Sequence, residues 1–399
     1  MMGYVYKRIS ELGEVVTGKT PSTDNENFFG GDYPFITPSD INSYSEKKIN
    51  KTERTISNLG AHVLKGMLLP PDSICFVCIG STIGKMCKTK CESFTNQQIN
   101  SIIPNANNDS DYLFYLLRYI KAYFQLIGGG TGSGKGIINK STFSKTKMYI
   151  VDDIDIQRKV ASVLSTYDEI IDVNNSRIKT LEKMVENLYK EWFVRLRFSG
   201  YEATEFEDGI PTGWKRVKLR DVAIEVDVPV KTENRDQYSH YLPIDKLPSQ
   251  SMALQEEDEI TNAESSLIAF KVGDILFGAM RPYYHKVIIA PFNGLTRTTC
   301  FVINSKDPVY RLFLYCLLFQ KASIDYATTV SVGSTMPYVR WKDYSRMNIL
   351  LPDETTIKLF NGIVEPILQR IVDSYEINKN LAKQRDLLLP RLMSGKLVV

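Results

Sequence analysis

Several clusters have residue types and spacings that could do chemistry, and they point in different directions. The run Gly128-Gly129-Gly130-Thr131-Gly132-Ser133-Gly134-Lys135-Gly136 has the glycines and the lysine of a phosphate-binding loop. It departs from G-x4-G-K-[ST] at its last position, where Gly136 replaces the magnesium-binding hydroxyl. Its setting is also inverted, with a helix-like segment before it and strand-like Ile137-Ile138 after it. A nucleotide-hydrolysing loop leaves a strand and opens a helix. A glycine loop lying along nucleic-acid phosphates is the better expectation. Cys75-x2-Cys78 and Cys87-x3-Cys91 could be read as a zinc site. The first pair, however, lies in Ser73 to Ile79, which reads as a buried strand, and side chains three apart on a strand face opposite ways. Buried small hydrophobes are the better expectation.

Catalysis finds little else to stand on. His62, His240 and His285 are the only histidines and lie far apart, so neither a triad nor a metal cluster suggests itself. There is no Asn-Pro-Pro-aromatic motif of adenine methyltransferases and no glycine-rich cofactor loop after a strand. The acidic run Glu256-Glu257-Asp258-Glu259 reads as a solvated face. The expectation is a chain with no catalytic residues, no metal and no cofactor of its own.

Nucleic-acid contact asks for other groups. Arg and Lys suit guanine, Asn and Gln suit adenine, and phosphates take cations, small hydroxyls and free amides. Such groups cluster in loops. Lys19, Thr20 and Ser22 follow a glycine; Ser81, Thr82 and Lys85 lie around two glycines after a strand; Asn96, Gln97 and Gln98 form an amide triplet; Thr131, Ser133 and Lys135 belong to the glycine loop. The second half of the chain offers Arg281, Tyr283, Tyr284, His285 and Lys286, then Arg297, then Ser334, Thr335, Tyr338 and Arg340. Each cluster could equally be an ordinary solvated loop.

These loops need elements to hold them, and the chain supplies those elements twice. From about Asp155 to Phe198, Val160, Leu164, Tyr167, Ile171, Ile178, Leu181, Val185, Leu188 and Trp192 recur in steps of three and four, with Asn174 in the one gap. That is a heptad seam. Adding 200 to each seam position gives Phe360, Val364, Ile367, Ile371, Ser374, Asn378, Leu381, Arg385, Leu388 and Leu392, of which seven are apolar. Polar seam residues set register at some cost in stability. Both helical segments are expected to stop at a Ser-Gly pair, Ser199-Gly200 and Ser394-Gly395. Pro366 is expected to kink or break the second, and Pro390 to disturb its end.

Before each helix lies a segment of mixed character. Each opens with a similar phrase, Tyr6-Lys7-Arg8-Ile9-Ser10-Glu11-Leu12 or Trp214-Lys215-Arg216-Val217-Lys218-Leu219. Each has a strand-like run ending in glycine (Ile74 to Gly80, Asp274 to Gly278), an aromatic-rich helix (Tyr112 to Ile127, Tyr310 to Tyr326) and a closing strand (Met148 to Val151, Met347 to Leu351). The fold class is therefore α+β, or mixed α/β. The plan is globule 1–152, helix 153–200, globule 201–352 and helix 353–399, a tandem repeat of about 200 residues with a pseudo-twofold axis. The two helices would pack as an antiparallel coiled coil. Each, at about 40 residues and 1.5 Å per residue, would be a spacer roughly 60 Å long.

Bulk composition permits this plan. A chain of 399 residues has room for two to four domains. With 49 basic and 46 acidic residues the net charge is +3, which excludes a polycationic tail but not local basic patches. No apolar run reaches signal-peptide or membrane-span length, so a cytoplasmic chain away from membranes, with six reduced cysteines, is expected.

In this order the motifs resemble those of the specificity subunits of type I restriction–modification systems. The resemblance rests on Gly18-Lys19-Thr20-Pro21-Ser22, Phe35-Ile36-Thr37-Pro38-Ser39-Asp40-Ile41, Gly80-Ser81-Thr82-Ile83-Gly84-Lys85, Asn96-Gln97-Gln98 and Leu188-Tyr189-Lys190-Glu191-Trp192-Phe193-Val194. In the second half it rests on Arg281-Pro282-Tyr283 and Leu387-Leu388-Leu389-Pro390-Arg391-Leu392-Met393-Ser394-Gly395. The second globule departs from the pattern, with Val228-Pro229-Val230 near the place of the Gly-x-Thr-Pro-Ser phrase.

The resemblance implies two target recognition domains, each reading half of a split, asymmetric site on double-stranded DNA. It implies helices that set the spacing and dock two methyltransferase subunits, with restriction subunits able to join. The residues it assigns to helix pairing and docking are Leu164, Ile171, Ile178, Leu181, Val185, Leu188, Trp192, Phe193, Val364, Ile371, Leu381, Leu388 and Leu392. S-adenosylmethionine and ATP with magnesium would belong to the partners. Two other readings stay open: a coiled-coil scaffold whose globules bind proteins, and a stand-alone NTPase or nuclease.

Overall fold

The computed structural model describes residues 3–41, 47–129 and 136–399. The chain forms two compact units, one of Met1–Val173 with Lys379–Val399 and one of Asn174–Asn378. Each unit therefore holds a globule and a stretch of both long helices.

In the first unit the central sheet consists of β1 (Gly13–Thr17), β2 (Lys48–Ile49), β3 (Ile74–Val77), β4 (Met86–Thr89) and β5 (Ile99–Pro104), in the order β1-β5-β3-β4-β2. All pairs are antiparallel except β2 with β4. The strand β3, Ile-Cys-Phe-Val, is apolar throughout because both its faces are covered. Phe76 on one face packs on Phe124 and Phe143, with ring centroids 4.9 and 5.4 Å away. The opening phrase and the closing strand pair with each other: Tyr4–Arg8 runs antiparallel to Lys147–Val151.

The second unit is also built around an antiparallel sheet. Its sheet holds β6 (Ala223–Glu225), β7 (Ile275–Gly278), β8 (Val287–Ile289) and β9 (Cys300–Ser305), in the order β6-β9-β7-β8, all antiparallel. Here too the ends of the globule pair, Lys215–Lys218 with Asn348–Leu351. Phe277, Phe301, Phe313 and Tyr344 are buried in one core with Trp192, Phe193 and Phe360.

Helix α1 (Ile154–Tyr189) and helix α2 (Glu354–Met393) carry the heptad seams. In the first unit Val160 and Leu164 share a buried cluster with Leu389, Leu392 and Met393. In the second, Asn174 Nδ2 donates to Asn378 Oδ1 (2.9 Å), while Trp192 and Phe193 lie 5.8 and 4.8 Å from Phe360. Within the second unit residue numbers therefore rise along α1 as they fall along α2.

Three expectations need correction. Helix α1 does not run to the Ser-Gly pair. It closes through a π turn at Lys190–Val194, and Leu196 takes a left-handed φ of 58°. Gly200 instead opens a short 3-10 turn. Trp192 and Phe193, neighbours in sequence, are both buried, and the wider turn swings both inward. Second, Pro366 and Pro390 do not break α2, and Gly395 ends it with a φ of 72°. Pro366 and Gly362 both face solvent, so the carbonyl that the proline leaves unpaired is not shut into the core. Third, each aromatic-rich helix is two helices, Ser110–Tyr119 with Lys121–Gly128 and Arg311–Leu318 with Lys321–Thr329. In the second pair, buried Gln320 leaves helical geometry and its amide donates to Cys316 O (3.1 Å).

The cysteines are free thiols, all but Cys91 buried, and burial pushes Cys78 up to about 11. No cluster of three or more metal-ligating residues occurs among the described residues, and none of their helices is long and apolar enough to cross a membrane.

Candidate nucleic-acid interface

The pleat places the candidate loops of the first unit at one end of its sheet. Thr17, at the end of β1, is opposite Asn100 near the start of β5. Val77, at the end of β3, is opposite Ile99, and Phe76 is opposite Met86 at the start of β4. The segments 18–22, 78–85 and 96–98 must therefore meet. They do: Thr20 Oγ1 donates to Gln97 Oε1 (2.7 Å), Lys19 N to Thr95 O (3.0 Å) and Cys78 N to Gln98 O (2.8 Å). The end of the glycine loop arrives at the same place, since Gly80 N donates to Gly136 O (2.8 Å) and Ile138 N to Cys78 O (2.9 Å). A buried Asn100 ties these pieces, accepting from Thr17 Oγ1 and donating to Cys78 Sγ and Ile138 O.

Not every candidate is free to touch a ligand. Lys19, Ser22, Ser81 and Gln97 are exposed, and Gln98 and Lys85 are half-buried. Asn96 is buried and its Oδ1 accepts from Gln98 N (3.1 Å), so it shapes the turn. Thr82 spends its hydroxyl on Ile79 O (2.8 Å). Thr131, Ser133 and Lys135 lie outside the described residues. Sequence reasoning missed Lys121, whose side chain covers Gly84: a Cβ there would meet Lys121 Cγ at 2.5 Å. Lys121 sits on another helix, and nothing in its spacing signals the approach.

The second unit assembles its candidates in the same way. Ala279 N donates to Thr299 O (2.9 Å), Arg281 N to Pro337 O (2.7 Å) and Val339 N to Ala279 O (3.0 Å). The segments 279–286, 297–299 and 332–340 thus form one patch. Tyr283 and Tyr284 are exposed with ring centroids 4.9 Å apart, and Ser334 and Thr335 are exposed on the neighbouring loop. Tyr338 donates to Thr298 O (3.4 Å). Burial and the nearby Glu225 carboxylate push its phenol up.

Two candidates here turn inward. His285 is half-buried with Nε2 at 2.8 Å from Phe319 O, and burial lowers its pKa despite that bond. Lys286 donates to Ile244 O (2.6 Å) and Asp245 O (3.3 Å), and burial lowers it too. Arg297 donates to Ser265 Oγ (3.2 Å), and Arg340 pairs with Asp343 (2.7 Å).

The helix candidates are mostly spent on internal packing. Leu164, Ile178, Val185, Trp192, Phe193, Val364, Ile371 and Leu392 are buried, whereas Ile171, Leu181, Leu188, Leu381 and Leu388 are half-buried. Exposed apolar side chains on these helices are others: Ile170, Val173 and Leu387 in the first unit, Met184, Leu359, Ile363 and Ile377 in the second.

A partly buried polar chain links the long helices to the first sheet. Arg385 pairs with Asp168, which also accepts from Tyr115 Oη. Lys47 donates to Ser165 Oγ (3.1 Å) and pairs with Asp111 (2.8 Å), which pairs with buried Lys88 (2.5 Å). Burial lowers Lys47 against the pull of Asp111. Burial alone would raise Asp111, but Lys47 and Lys88 outweigh it and hold its carboxyl low. This chain braces helix against globule within the unit.

Residues 1–183 match the family described as the type I restriction modification DNA specificity domain. The chain is 29% identical to the type I restriction enzyme MjaIX specificity subunit of Methanocaldococcus jannaschii, over 98% of this chain and 93% of that one. It is 34% identical over 194 residues to the HindI specificity subunit of Haemophilus influenzae, which is 46% of this chain and 38% of that one. In fold it is similar to the crystal structure of the type I restriction–modification S subunit from M. genitalium, with a TM-score of 0.58 at 13% identity, covering 98% and 96% of the two chains.

Proposed function

The chain belongs to the type I restriction–modification specificity-subunit family, and on that premise we propose that each unit reads one half of a split, asymmetric DNA site. The observation that carries this reading is the gathering of hydroxyl, amide and cationic side chains at one sheet end in each unit, from segments far apart in sequence. In the first unit the readers are Lys19, Thr20, Ser22, Ser81, Lys85, Gln97 and Gln98. In the second they are Arg281, Tyr283, Tyr284, Arg297, Ser334, Thr335, Tyr338 and Arg340.

The long helices act as an antiparallel coiled-coil spacer in a pseudo-twofold tandem repeat. The opposed run of contacts within each unit and the shared hydrogen-bond frame of the two sheets support this. Two methyltransferase subunits dock on the helices through side chains left exposed there, such as Leu359 and Ile363, and restriction subunits join them. The chain itself is non-catalytic and works in the cytoplasm; S-adenosylmethionine and ATP with magnesium bind the partners.

Co-expression with a cognate methyltransferase, followed by modified-base sequencing of the host DNA, tests this. The expected result is a split motif with methylated adenine in both halves. A stable co-purified complex that adds no methylation and retains no DNA would instead favour a protein-binding scaffold.

A further inference from the structure

The two sheet ends share one hydrogen-bond frame and differ at two of its positions. Cys78 N donates to Gln98 O, Gly80 N to Gly136 O and Val77 N to Lys85 O; Ala279 N donates to Thr299 O, Arg281 N to Pro337 O and Gly278 N to Lys286 O. Gly80 and Arg281 therefore hold the same place, and so do Gly84 and His285. All four are left-handed, with φ of 61°, 50°, 90° and 53° respectively. Glycine takes that conformation freely, whereas a side chain takes it at a cost. The first unit uses glycine at both positions and the second at neither.

Internal contacts account for His285. Its Nε2 bonds Phe319 O and its ring lies 4.6 Å from that of Phe319. They do not account for Arg281. Its Nε is shut off from water without a hydrogen-bond partner, and its Nη2 is 3.5 Å from Thr335 O, at the limit of a bond. Of the three arginines in this patch, Arg340 is neutralised by Asp343 and Arg297 is held by Ser265, whereas Arg281 has no carboxylate partner among the described residues. The turn Pro282–Tyr284 fixes its base: Pro282 is buried and Tyr284 N donates to Arg281 O (3.0 Å). The sheet frame imposes the left-handed backbone, so what points to function is an arginine kept there in place of glycine although no internal contact requires its side chain.

We propose that Arg281 reads a guanine in the half-site of the second unit, a reading that rests on the DNA-reading function proposed above. A phosphate is served by any mobile cation and gives no reason to hold a side chain on a costly backbone. A guanine offers O6 and N7 in one plane, which matches a guanidinium fork held in one orientation. The first unit, with Gly80 at that place, reads its half-site from other loops.

The test uses the complete chain co-expressed with its methyltransferase, comparing wild type, Arg281→Gly and Arg281→Lys by modified-base sequencing. Arg281→Gly installs the first unit's residue and removes the strain, so its melting temperature should not fall below that of wild type. The wild type should require a G·C pair at one position of one half-site. Both variants should lose that preference by roughly 5- to 150-fold, the discrimination worth of one bidentate pair, with the other half-site unchanged. An unchanged motif in both variants overturns the proposal. So does a wild-type motif from Arg281→Lys together with uniform weakening from Arg281→Gly, the pattern of a phosphate contact. If the wild type neither methylates nor binds any duplex, the DNA-reading function itself fails, and that is seen before any variant is compared.

Discussion

Cutting Arg385 back to alanine should cost the first unit about 3–5 kcal/mol. The Arg385 and Asp168 side chains are each 10% exposed, and the pair is reinforced by Tyr115, whose hydroxyl donates to the same carboxylate. Removing the guanidinium leaves Asp168 charged, buried and short of its cation. For a unit of roughly 200 residues each kcal/mol moves the midpoint by about 2–4 °C, so the expected fall is roughly 6–20 °C. The tryptophans help to locate the damage. Trp192, Trp214 and Trp341 all lie in the second unit, so their fluorescence reports that unit alone, while circular dichroism reports both. Hydrogen exchange should show lost protection in 154–173 and 379–393. Asp168→Ala with Arg385→Ala should be no worse than either single change, giving a coupling of several kcal/mol. Asp168→Leu with Arg385→Leu should return close to wild-type stability. A single-variant loss under about 1 kcal/mol, the range of exposed pairs, would refute the reasoning, as would additivity of the two alanine variants.

Three further predictions follow from the same contacts. The depressed carboxyls Asp72 and Asp111 lend the first unit stability that is present above the ordinary carboxylate range near pH 4 and is lost as pH falls through their lower folded values. Melts between pH 7 and pH 3 should show that loss, and Asp111→Asn should shrink it. Glu182, buried, accepts from Ser251 Oγ (2.6 Å), Met252 N (2.7 Å) and Ala253 N (3.1 Å), so Glu182→Ala should cost the second unit about 2–3 kcal/mol by urea titration of tryptophan fluorescence. A Cβ on Gly18 would sit 2.2 Å from Thr95 O and 2.4 Å from Asn96 O, so Gly18→Ala should cost about 1–3 kcal/mol and, by displacing Lys19 and Thr20, weaken DNA binding in a gel-shift assay.

The heptad seams, the paired opening phrases and the glycine-marked loops were all legible in the chain, because each is a local signal. Helical period is a spacing along the sequence, and a glycine between apolar runs marks a turn wherever it lies. The loops that gather at the sheet ends were found as separate clusters for the same reason. Tertiary structure decided what those side chains are spent on. His285 and Lys286 look like Arg281 in the sequence, yet they bond backbone carbonyls inside the unit at 2.8 and 2.6 Å, whereas Arg281 reaches one only at 3.5 Å. Asn96 is one of three adjacent amides, and burial alone separates it from Gln97. The polar seam positions announced a register device, but the partner of Arg385 is Asp168, 217 residues away. Partners at such separation depend on which faces pack together, and periodicity carries no label for that. The left-handed backbone of Arg281 is the clearest case. Nothing in Met-Arg-Pro requires it; it arises because the chain must leave β7 and pair with Pro337 at once, a constraint set by the sheet and not by the residue.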